Sequence, residues 1–181
     1  MTTPIHPTTY TNPADETKAR ETFFAMLRKC DTAMMVTHGS ESGLHARPMA
    51  IAGIDADGAL WFITGQDTPK IDELVQDATI LAVMQEGAKM VTVGGRAKLS
   101  RDRAKVKELW KESFRAWFKG KDDPNIALIR IEPLEGEYWD NSGLAGVKYT
   151  LKLTKAVLTN QQLDRNRDDK DLDVHGKVRL S

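Results

Sequence analysis

Cysteine is nearly absent. Cys30 stands alone in 181 residues, which excludes an internal disulfide and makes a small packed residue a simpler reading than a nucleophile. No apolar run approaches the length of a membrane span, and the N-terminus carries no basic-then-apolar leader pattern, so the expectation is a cytoplasmic protein. Neither sign of charge is in excess: 26 Lys and Arg face 26 Asp and Glu. Nucleic-acid binding normally shows as a basic surplus, which sets nucleic acid aside as the main partner. There is no internal repeat and no sign of a second domain. This length suits one domain with a real core.

What is present concentrates between His45 and Lys70. The run Arg47-Pro48-Met49-Ala50-Ile51 reads as part of a strand spanning Leu44–Ile54, and Leu60-Trp61-Phe62-Ile63-Thr64 reads as the next. Asp57-Gly58 between them is a hairpin signal, because glycine takes positive φ without steric cost. Thr68-Pro69 then predicts a helix start, Thr as cap and Pro in the first turn. Lys70 falls in that first turn, where the helix dipole is already positive. A bound anion cures the conflict: free N–H groups, the Thr68 hydroxyl, Lys70 and Arg47 together suit a phosphate. The plainer alternative is a solvated Lys70 and an Arg47 paired with a surface carboxylate.

The rest of the chain supplies a scaffold. Residues 1–12 read as an arm, and Asn12-Pro13 opens a helix with Phe23, Phe24 and Leu27 on its apolar side. Ala33–His38, Thr79–Met84 and Met90–Leu99 read as strands, the last with Gly94-Gly95 marking a bulge or bend. Ser100 is a candidate cap for a helix bearing Val106, Trp110, Phe114 and Phe118, an aromatic stripe read mainly as core. Trp110 or Trp117 bordering a flat ring ligand is the other reading. Asn125–Glu132 is apolar on both faces, Pro133 interrupts it, and Gly136–Asp140 resumes. Some apolar character returns over Thr150–Thr159. Residues 161–181 form a polar tail whose last residues recover apolar character and can dock. His38 and His45 flank a turn without a nearby third ligand, so no metal site is expected. Asp55-Ala56-Asp57-Gly58 lacks the later Glu of a calcium loop. Strands outnumber helices and short turns join them, which favours an antiparallel barrel with flanking helices over a doubly wound sheet.

The order Arg47-x-Met49-x-Ile51, strand, Thr64, Thr68, Lys70 resembles the flavin-binding pattern of the pyridoxamine phosphate oxidase superfamily. Asp102-Arg103, Trp110, Trp117-Phe118, Asp122-Asp123-Pro124 and Glu137-Tyr138-Trp139 resemble its general stress protein branch. The resemblance implies an FMN-binding split barrel of antiparallel Greek-key type over residues 13–160, a homodimer with the flavin at its interface, and FMN, or FAD, as cofactor. Carried over by position, Arg47, Thr68 and Lys70 hold the phosphate. Met49, Ala50 and Ile51 follow the ring edge, Ile63 and Thr64 match a second flavin-contacting strand, and Thr92 is a polar contact. Trp139 reaches the flavin of the other subunit. True oxidases of vitamin B6 follow Glu-x-Trp with Arg-Leu-His. Here Asp140-Asn141-Ser142 follows Trp139, which argues against that substrate. The functions left open are a flavin-dependent oxidoreductase, a flavin-binding or flavin-buffering protein, and a split barrel using deazaflavin or haem. No catalytic residue is nominated.

Overall fold

The computed structural model describes residues 13–39, 43–142 and 175–180. The arm at 1–12 with its Asn12 cap, the Thr150–Thr159 segment and most of the 161–181 tail lie outside them. In chain order the elements are α1 (Pro13–Leu27), β1 (Thr32–Gly39), β2 (Gly43–Ala50), β3 (Gly53–Ile54), β4 (Leu60–Gly65), α2 (Pro69–Gln76), β5 (Thr79–Glu86), β6 (Lys89–Ser100), α3 (Arg103–Leu109), a 3₁₀ turn (Glu112–Ala116), β7 (Ile126–Asp140) and β8 (His175–Arg179). The strands make one antiparallel sheet in the order β2-β1-β5-β6-β7-β4-β3, with β8 also on β7. Setting β4 beside β7, with β5, β6 and β7 joined in sequence, is a Greek-key connection. The fold is mainly β, as expected, and among the described residues the sheet curls without closing: β2 approaches β4 without a hydrogen-bonded ladder between them. That gap is the split.

The core has two parts, divided by the sheet. Phe23, Phe24 and Leu27 of α1 pack with Met35, Leu60, Phe62, Val93, Ile129 and Ile131 inside the curl. Ile126 and Leu128, on the other face of β7, pack with Ile63, Val106, Leu109 and Phe114. The doubly apolar run in β7 is thus explained by α3 and the 3₁₀ turn covering its second face. Cys30 is buried, its thiol donates to the Met26 carbonyl at 3.6 Å, and burial raises its pKa.

Several local expectations need correction. The strand expected over Leu44–Ile54 breaks after Ala50, because the Ile51 N–H turns to the Asp31 carbonyl and the Ala52 N–H to that of Trp61. The β3–β4 turn is where Asp57-Gly58 put it, with Gly58 at φ 89°. Pro133 does not end a strand. β7 runs through it, and its register slips between Gly94 and Gly95, which face Glu135 and Pro133 and leave Leu134 as the extra residue. A bulge is one of the few sheet positions that tolerates proline. The long aromatic helix is cut short: Trp110 leaves helical geometry at ψ 128°, and the stripe continues on the 3₁₀ turn. Its cap is Asp102, whose carboxylate accepts from the Ala104 and Lys105 N–H groups, not Ser100.

Candidate functional site

A cavity of about 370 Å³ opens where β2 approaches β4. Pro48, Met49 and Ala50 line one side; Ile63, Thr64 and Gly65 line the other. The start of α2 gives it a polar end. Pro69 fits the first helical position, as its fixed φ allows, but the Thr68 hydroxyl makes no cap. It donates to the Gly65 carbonyl at 2.8 Å and lies 3.4 Å from the Thr64 hydroxyl. Lys70 Nζ donates to Thr64 Oγ1 at 3.0 Å. Phe114, Trp117 and Phe118 form an apolar wall, and Asn125, bonded to Asp67 at 3.0 Å, closes the rim. A polar, cationic end and an apolar body are what a phosphorylated planar ligand needs.

The electrostatics single out Lys70. Its ammonium is part-buried and makes no ion pair among the described residues. Burial lowers its pKa, the nearby Arg47 charge lowers it further, and the Glu73 charge offsets part of that. The Arg47 influence sets the two cations in the same neighbourhood, as the phosphate reading requires.

Arg47 itself stands outside the cavity lining and is already occupied. Its Nη2 donates to Glu73 Oε1 at 2.7 Å and its Nη1 to Thr37 Oγ1 at 2.8 Å. Glu73, its side chain only 9% exposed, also accepts from the Thr37 hydroxyl at 2.6 Å and lies 2.7 Å from His45 Nδ1. Burial pushes the Glu73 carboxyl up, but the bonds from Thr37, His45 and Arg47 carry its pKa down to about 2. An ionised carboxylate only accepts, so Nδ1 of His45 carries a proton. The 3.3 Å approach of Arg47 Nη2 to His45 Nδ1 is then two donors sharing one oxygen. The carboxylate partner of Arg47 is therefore a buried one on α2, not a surface one.

Comparison with known proteins bears on what this arrangement is for. Residues 18–164 match the family described as pyridoxamine 5'-phosphate oxidase like. The chain belongs to that family. General stress protein 26 of Bacillus subtilis is 29% identical over 75 residues, and the chain spans 54% of that relative's length. A crystal structure of a general stress FMN/FAD binding protein from Xanthomonas citri is 31% identical over 70% of this chain and 92% of its own, with a TM-score of 0.61. General Stress Protein 26 of Bacillus anthracis, at 21% identity over 66% of this chain and 92% of its own, shares the fold with a TM-score of 0.60.

Within this family member, the expected site residues divide into groups. Met49, Ala50, Ile63, Thr64, Thr68 and Lys70 line one cavity, and Arg47 lies close behind it. Ile51 does not line it: its side chain is 3% exposed in the main core, its N–H serves Asp31, and its carbonyl accepts from Lys111 Nζ at 2.9 Å. Thr92 lies on β6 opposite Val83 and Glu137, away from the cavity lining. Trp139 sits at the far end of β7 from the segment paired with β4, stacked on His175 of β8 at 5.0 Å and 12°. Of the two tryptophans weighed as ring neighbours, Trp117 borders the cavity, while Trp110 packs on Phe114. Sequence reasoning missed Asn125, Asp67 and Glu73. The only signals for them were the Asp-Asp-Pro-Asn turn and an acid one helical turn beyond Lys70.

Proposed function

We propose that the cavity binds FMN, phosphate toward Lys70, Thr64 and Thr68 and ring along Met49, Ile63 and the Phe114–Phe118 wall. FAD is the alternative cofactor. The observation that carries this reading is Lys70, a part-buried cation with a lowered pKa and hydroxyl neighbours, which makes no ion pair among the described residues although the Glu73 charge acts on it through space. Such a group is costly to keep without an anion. The family membership and the FMN/FAD binding described for the Xanthomonas citri relative support it. A bound flavin supplies hydride or one-electron chemistry. The chain's part is to hold the phosphate, position the ring and shield one face of it.

The reading extends to a flavin-dependent oxidoreductase acting as a general stress protein, working as a dimer. Exposed Met34, Leu44, Leu81 and Leu134 gather on the outer face of the sheet, an apolar patch suited to a second copy. In a dimer, Trp139, which lies far from its own chain's cavity, is free to serve the partner's. A second function, holding or buffering flavin, is favoured by one feature. Among the described residues lining the cavity there is no His, Cys or Glu to move protons, and its one carboxylate, Asp67, is already bonded to Asn125.

Titration with FMN and riboflavin tests the site. Lys70→Ala removes a charge-assisted bond and is expected to weaken FMN between about tenfold and a hundredfold, with riboflavin little changed. Unchanged FMN affinity removes Lys70 from the phosphate site. Reduction of the bound flavin by NADH or NADPH separates the enzyme from the buffer.

A further inference from the structure

We propose that Glu73 is the resident counter-anion of Arg47, and that it sets how strongly the pocket holds a phosphomonoester dianion relative to an uncharged ligand. The proposal takes its ligand from the flavin reading above. Its geometry stands independently of that reading.

Both terminal nitrogens of Arg47 face inward, Nη2 to Glu73 at 2.7 Å and Nη1 to Thr37 at 2.8 Å. Thr37 on β1, His45 and Arg47 on β2 and Glu73 on α2 form one network. The cavity side holds Lys70 of α2 bonded to Thr64 of β4. Glu73 offsets the charge of Arg47 through a direct bond and that of Lys70 more weakly through space, so the pair of cations presents about one net positive charge. A phosphomonoester near neutral pH carries close to two negative charges. Matching it requires Arg47 to turn at least part of its fork from Glu73 toward the ligand. An uncharged ligand makes no such demand. Glu73 and the phosphate are therefore competitors for one guanidinium, and removing the Glu73 charge favours the phosphate. A carboxylate serving only to pin α2 to β1 gives a different result: its loss weakens the fold and every ligand alike.

The experiment is fluorescence titration of FMN and of riboflavin against the wild-type chain, Glu73→Gln, Arg47→Ala and the double variant. Thermal shift with inorganic phosphate runs in parallel. Glu73→Gln is expected to tighten FMN about fivefold, the value of one unit charge pair near 4 Å in water, while riboflavin moves by less than about twofold. In the Arg47→Ala background the gain changes from its wild-type value, because the bonded cation that Glu73 masks is gone and only its through-space action on Lys70 and the phosphate is left. An equal gain in both backgrounds shows that Glu73 acts independently of Arg47 and overturns the proposal. An FMN-to-riboflavin ratio that is unchanged or lower in Glu73→Gln overturns the proposal. Should that variant fail to fold, Glu73→Asp keeps the charge but shortens the reach to Arg47. It is expected to raise the same ratio, and an equal ratio overturns the proposal. If no flavin binds any variant, the flavin reading fails and the phosphate arm decides. Stronger protection of Glu73→Gln by phosphate supports the counter-anion role, and equal protection ends it.

Discussion

Lys70 and Glu73 lie one turn apart on α2 and contribute to stability with opposite sign. Folding buries the Lys70 ammonium beside Arg47 and depresses its pKa, so the ligand-free fold carries a cation it holds poorly. Lys70→Met is expected to stabilise the ligand-free protein while weakening FMN as much as Lys70→Ala does. Urea unfolding with and without FMN reads both effects. Equal or lower stability of the variant without ligand shows that Lys70 is not strained. Glu73 behaves conversely. Its folded pKa of about 2 lies below the ordinary 4.5, so its ionised form stabilises the fold fully above about pH 4.5, and that contribution is lost as pH falls toward 2. The difference is on the order of 3 kcal/mol. The melting temperature of the wild-type chain is expected to fall more steeply between pH 4.5 and 2 than that of Glu73→Gln, the two curves converging in acid. Parallel curves would place the acid sensitivity elsewhere.

At the scale of elements, β6 and β7 show what a short motif can and cannot reveal. Gly94-Gly95 inside an apolar strand announces a bulge, and the bulge is there, but only the structure assigns each glycine its part. A Cβ on Gly95 would come 2.1 Å from the Glu132 carbonyl oxygen, whereas one on Gly94 meets nothing nearer than Glu135 Cγ at 3.5 Å. Gly95→Ala therefore has to move backbone and is expected to cost about 2–3 kcal/mol, while Gly94→Ala is expected to stay within about 0.5 kcal/mol of wild type. Chemical denaturation of the pair checks this, and similar values for both would mean the bulge is soft. The same limit explains the aromatic stripe. Helical spacing from Val106 to Phe118 persists in the sequence, but no local signal marks Trp110 as the residue where the backbone leaves the helix. Propensity leaves that position nearly neutral, and packing of Trp110 and Phe114 on the second core decides it. Ser100 and Asp102 are both good caps by type, and the strand pairing that reaches Ser100 takes it out of contention.

For the whole molecule, the residues legible in the sequence are those the chain brings together locally. Met49 to Lys70 fold as strand, hairpin and helix start around one cavity, so their order alone carried them. Phe114, Asn125 and Glu73 join through tertiary packing, and His175 meets Trp139 only because β8 returns from the far end of the chain. The outer sheet face is the remaining step. Leu81 is exposed at the middle of β5, between Val36 and Gly94 in register, and Leu44 is 65% exposed nearby. A charge at Leu81 costs an isolated chain little, because the side chain already meets solvent, but it costs a paired face heavily. Leu81→Glu is therefore expected to halve the mass seen by sedimentation with little change in thermal unfolding of the dilute protein. If Trp139 completes the partner's pocket, FMN affinity falls in the same variant, and Trp139→Ala in the wild-type background lowers it without changing the mass. A monomer that keeps full FMN affinity would confine the site to one chain and leave the Trp139–His175 stack without a part in it.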